Sequence, residues 1–129
     1  MKKTIKSIAL KDIKLTGDFI YLLREEHGTG LEFGKEMARL TQLGVLQKGE
    51  MPKMPEEKLK ELMLAGKSIF EYDIELLEDS MRVEGYLPEK HSYLRVFRDD
   101  YLVDGGKRLY VLKRLFGEDY EIDVEELTE

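Results

Sequence analysis

Gly105 and Gly106 stand directly before Lys107 and Arg108, and directly after the apolar run Tyr101-Leu102-Val103 and Asp104. Two glycines let an anion come close to the backbone, and the two cations behind them supply charge and directed donors. If Tyr101 to Val103 is a strand and Lys107 opens a helix, the turn lies where free helix N–H groups already favour negative charge. The chemistry implied is phosphate binding. Cations in a first helical turn oppose the dipole by about 0.3–1 kcal/mol each. Such a pair makes more sense beside an anion than as two solvated charges.

Two carboxylates lie near this turn in chain order. Asp104 would orient Arg108, help hold a metal on a bound nucleotide, or cap the helix that begins at Lys107. Glu84, just before Gly85, would take a proton or bind magnesium beside a nucleotide, or simply be a helix-surface acid. Arg95 and Arg98 would extend a basic rim or be ordinary exposed strand charges. His91 reads as structural or exposed, and His27 as a cation suited to a helix C-terminus. Two histidines so far apart offer no zinc spacing. Tyr86, Tyr93 and Tyr101 are core residues by default and base-stacking candidates by exception. Gly28-Thr29-Gly30 lacks the spacing of a dinucleotide motif and the ending of a P-loop, so it reads as a helix–helix turn.

The elements that must position these groups follow from periodicity. Thr4 to Leu15 alternates apolar residues with lysines and predicts one or two short strands. Asp18 would cap a helix from Phe19 to about Glu26, and a second helix would run from Leu31 to Leu43. Lys48 to Pro55 is the best loop. Pro55-Glu56-Glu57 then opens a helix that ends at Gly66. A further helix is expected from about Phe70 to Val83, closing at Gly85, with Leu87 to Ser92 as loop. Leu94 to Phe97 and Tyr101 to Val103 form a hairpin around Arg98-Asp99-Asp100. Helix Lys107 to Phe116 and strand Tyr120 to Val124 complete an α+β outline with helices gathered in the first two thirds.

With 129 residues and 42% of them apolar, the chain can bury one core and is expected to form one domain. It contains no cysteine, which excludes disulfides, thiolate metal sites and cysteine catalysis. Lysines interrupt any apolar segment after Met1-Lys2-Lys3, so no signal peptide or membrane span is read and a cytoplasmic protein is expected. The net charge of −6 disfavours broad DNA binding. Charge is uneven, lysine-rich at the start and acidic from Glu118 to Glu129, and both ends read as solvated.

The order from Ile74 to Val124 resembles the ParB/sulfiredoxin superfamily, especially small members with an Asp-Gly-x-His-Arg turn. The likeness lies in Leu76, Leu77, Ser80 and Met81 on a glycine-ended helix, a strand with Leu94 and Val96, and Tyr101 to Arg108 before a helix and a last strand. It places the core motif at 72–126 and makes about 17–70 a helical insertion. By this resemblance Gly105 supplies the tight turn, Arg108 grips a phosphate, and Ser80 is a hydroxyl facing the same phosphates. The ligand implied is ATP, ADP or CTP, with Mg²⁺. Gly106 replaces the cysteine of sulfiredoxins, which rules out sulfinic-acid repair. Lys107 keeps a cation where relatives hold His or Arg, but loses a neutral acid–base group. No helix-turn-helix segment is visible after Val124, so full DNA segregation is not expected. If the protein is an enzyme, phosphoryl transfer or nucleotide hydrolysis fits best, with Asp104 or Glu84 as acid–base or metal group. The alternatives are a DNA-associated nuclease or adaptor of a mobile element or phage, and a noncatalytic interaction domain.

Overall fold

A computed structural model describes residues 1–47 and 54–129. Its strands are β1 (Lys2–Ala9), β2 (Arg95–Phe97), β3 (Tyr101–Asp104) and β4 (Glu121–Thr128). Its helices are α1 (Thr16–His27), α2 (Leu31–Gln42), α3 (Glu56–Leu64), α4 (Ile69–Glu84), α5 (Pro88–His91) and α6 (Gly106–Phe116). The fold is α+β. Most of the loop expected at Lys48 to Pro55 lies outside the described residues.

Alternation along the strands sorts the helices into two layers. Val96, Leu102, Ile122 and Val124 pack on one side with Ile74 and Met81 of α4 and Leu109 and Leu112 of α6. Phe97, Val103 and Leu127 point the other way, against Phe19 and Leu23 of α1 and Leu40 of α2. The segment expected as a helical insertion therefore supplies the second cover of the sheet. Phe19 is fully buried, with Phe97 edge-on at 5.9 Å and Tyr101 at 5.5 Å. Burying such a ring is worth roughly 1.5–3 kcal/mol.

The sheet order is β1-β4-β2-β3. β4 runs antiparallel to β1 and parallel to β2, and β2 and β3 form an antiparallel hairpin. Most charges of the two ends are exposed, as expected, and some of them also meet one another. Lys6 joins Glu126 at 2.7 Å and also pairs with Asp100, while Lys11 reaches Asp119 at 2.9 Å. Lysines of the basic start thus pair with acids of the chain's end in the β1–β4 ladder and just beyond it.

β1 stops at Ala9, where Leu10–Asp12 turns into a short 3₁₀ segment, so the one or two strands expected here are one. Three local expectations change. Leu15, not Asp18, precedes the first turn of α1, and Asp18 lies inside that turn. Leu87 to Ser92 holds α5, four residues opened by Pro88. Asp104 does not cap α6: Gly105 takes that position, and no side chain caps the helix.

α4 begins where Ser68 accepts from the Glu71 amide and Glu71 accepts in return from the Ser68 amide, a reciprocal cap. This fixes the start of α4, which packs with α6 through Ile74, Met81, Leu109 and Leu112.

Candidate functional site

Gly105 is the hinge between β3 and α6. Its φ of +113° lies in the left-handed region, and a Cβ there would stand 2.8 Å from Leu94 Cγ and 3.2 Å from an Arg108 nitrogen. Only glycine fits both the backbone and the space. Beyond it, the amides of Gly106, Lys107 and Arg108 precede the first helical bond, which runs from Leu109 N–H to Gly105 O. None of the three has a protein acceptor among the described residues. α1 to α5 each carry an Asp or Glu in the first turn; α6 carries none. A cavity of about 290 Å³ opens on this helix end, lined by Leu77 and residues 104–108.

The two cations are partnered unequally. Lys107 Nζ lies 2.7 Å from Asp73 Oδ2 of α4, an exposed pair that water and salt weaken. Arg108 is more committed. Its Nη1 donates to three consecutive carbonyls, those of His91 at 2.7 Å, Ser92 at 2.9 Å and Tyr93 at 3.3 Å. Ser92, with a φ of +66°, ends α5 in the left-handed region and lets the chain converge on the guanidinium. Asp104 Oδ2 stands 3.5 Å from Nη2, so the aspartate orients Arg108.

On the far side of Arg108 lies a second cavity of about 390 Å³, between α5, β2 and the turn. Its walls include Tyr93, Arg95, Asp104, Arg108 and Glu125. Arg95 Nε is 3.0 Å from Glu125 Oε1, an ion pair without the alignment of a hydrogen bond. Arg98 sits elsewhere, near Glu26 and Glu36.

Ser80 and His91 meet behind the turn. Ser80 Oγ is 2.8 Å from His91 Nε2, and the Leu87 N–H donates to Nδ1 at 3.1 Å. With Nδ1 accepting, the ring proton sits on Nε2 and points at the serine. The imidazole therefore cannot act as base toward that hydroxyl. Tyr86 stacks on the same ring at 6.1 Å, its hydroxyl donating to Ser92 O and accepting from Leu94 N–H. Burial pushes the Tyr86 phenol up, so it stays a neutral donor.

Glu84 is held by Lys90 at 2.6 Å, and that contact keeps its carboxyl below the usual range. It lines neither cavity that holds Asp104 and Arg108. The structure thus gathers Asp104, Gly105, Gly106, Lys107 and Arg108 at one helix end, sets Ser80 behind them on His91, and leaves Glu84 apart. Among the described residues no group of three or more His, Asp or Glu side chains is arranged to hold a metal ion.

Sequence reasoning missed Asp73 as the partner of Lys107, and His91 as the residue that fixes Ser80. The α4 stripe already held the first signal, since Asp73 and Leu77 are four apart and share a face with Ile74 toward α6.

No protein-family model matches the chain, and no curated protein matches it. Among solved structures it is similar to a Pnob8-like ParB-N domain in a C2221 crystal form, with 14% identity and a TM-score of 0.47. The match covers 97% of this chain and 29% of that one. At that distance no residue role passes from one protein to the other. Among the described residues no helix is long and apolar enough to cross a membrane.

Proposed function

We propose that this protein binds a nucleoside di- or triphosphate, such as ATP, ADP or CTP, with its phosphates at the Asp104–Arg108 turn. One observation carries the reading: the free amides of Gly106, Lys107 and Arg108 open on a cavity beside a glycine that no other residue can replace. A helix end with directed amides and no acid in its first turn favours an anion. Lys107 is the mobile cation, free to leave Asp73 for a phosphate. Arg108 holds the floor of the site and offers a phosphate its remaining donors. Any Mg²⁺ would arrive with the phosphates, bound chiefly through their oxygens.

Binding is the activity these residues support, ahead of hydrolysis or phosphoryl transfer. Asp104 is engaged with Arg108, Glu84 with Lys90, and Ser80 with His91. Asp104 is the carboxylate placed to act if the ligand displaces it from Arg108.

A thermal-shift panel with millimolar ATP, ADP and CTP, with and without Mg²⁺, tests the proposal. Bound ligand raises the melting temperature according to its concentration over Kd. No shift with any nucleotide would end the reading. Metal-dependent cleavage of a labelled oligonucleotide without nucleotide affinity would transfer the site to the nuclease class.

A further inference from the structure

A third cavity, about 440 Å³, lies on the other flank of the α6 start and shares Gly106 with the amide cradle. Its walls are apolar, built from Leu15, Leu102 and Leu109, and two aromatic rings, Phe70 and Tyr110, complete them. The rings are 6.5 Å apart at their centroids and tilted by 54°, and each residue is about half exposed. Lys107 Nζ lies 5.9 Å from the Phe70 ring, and Lys113 lines the cavity. An aromatic, apolar hollow with cations beside it suits a planar heterocycle that carries an anionic tail.

Gly106 connects the two spaces. Its backbone is ordinary for a helix start, and an added Cβ would meet nothing within 4 Å. Neither conformation nor packing therefore calls for glycine at this position, in contrast to Gly105. A side chain there would project into open space at a residue that lines both cavities.

We infer that the cavity lined by Phe70 and Tyr110 receives the base of a nucleotide whose phosphates lie on the Gly106–Arg108 amides. The ribose then crosses Gly106, where the missing side chain leaves room. Thr16 donates to Leu102 O at 2.6 Å and so offers the ligand an acceptor, while Lys113 offers a donor. This inference rests on the phosphate reading and adds the heterocycle to it.

Calorimetry with ATP, CTP and inorganic tripolyphosphate separates the two claims. The wild-type protein is expected to bind ATP or CTP at least tenfold more tightly than tripolyphosphate, the order of magnitude for base–aromatic stacking. Phe70→Ala and Tyr110→Ala should each lose about that factor for the nucleotide and leave tripolyphosphate unchanged. Both side chains are half exposed, so the fold should tolerate either change. Gly106→Val should keep the wild-type melting temperature and lose the nucleotide's advantage. Equal affinity for nucleotide and tripolyphosphate, untouched by Phe70→Ala, overturns the base site and leaves the phosphate site standing. No affinity for either probe overturns both.

Discussion

Ser80 Oγ lies 2.8 Å from His91 Nε2, and the imidazole takes the Leu87 N–H on its other nitrogen. The contact welds α4 to α5 and positions the His91 carbonyl that Arg108 uses. Through His91, Ser80 supports the run of carbonyls that holds Arg108. Ser80→Ala would leave a buried ring N–H without a partner, a loss of about 1–3 kcal/mol. Chemical denaturation should show it, with nucleotide affinity unchanged in the folded fraction. Lost affinity at full stability would return Ser80 to the phosphates.

Gly105→Ala combines left-handed backbone strain with a 2.8 Å approach to the branched, buried Leu94 side chain. Each effect costs on the order of 1–3 kcal/mol. The variant should lose about 2 kcal/mol or more by urea unfolding. Gly106→Ala should be neutral or slightly stabilising in the same measurement, since nothing crowds it.

The two cations of the turn should separate in mutagenesis. Lys107→Ala removes one exposed ion pair and should change stability by less than about 1 kcal/mol. Nucleotide affinity should nevertheless fall. Arg108→Ala should lower both, because three carbonyls lose their shared donor, with a stability loss of about 1.5–3 kcal/mol. Denaturation and calorimetry on both variants check this split.

Much of this site was legible because it is local. Four consecutive residues, Gly105 to Arg108, carry the turn, the amides and the cations, and the flanking strand and helix show strong periodicity. α4 and α6 were placed within a residue or so because each is amphipathic and followed by a glycine. α5 was not, since four residues are too few for a period to show. The later half of β4, Glu125 to Thr128, read as an acidic tail because its charges are answered by Lys3, Lys6 and Arg95, all distant in the sequence. The same limit hid Asp73 from Lys107 and Phe70 from Tyr110. Those meetings are products of α4 packing on α6: the α4 stripe marks the face that packs, and the pairing with particular α6 residues comes only with the tertiary fold.

Acid should weaken the second helical layer. Glu36 is 13% exposed, and its hydrogen bonds to Arg39, at 2.6 and 3.0 Å, hold its carboxyl below the ordinary 4.5. A folded-state pKa below the unfolded one stabilises the protein above about 4.5, and the gain disappears as pH falls through the lower value. Glu36→Gln should therefore be less stable than wild type at neutral pH and converge on it in acid. Unfolding curves across that window check the sign; a gap that widens in acid would refute the assignment.

The sheet order has a consequence for how the molecule is made. β1 and β2 are not hydrogen-bonded to each other; β4 lies between them and bonds to both. The strand that unites the sheet is thus the one the ribosome delivers after all the others. Until it emerges, β1 waits alone and the β2–β3 hairpin has an open edge, a state of high contact order that is prone to pair wrongly. Completing the sheet is then a late event, although the residues that hold Arg108 precede β4 in the chain.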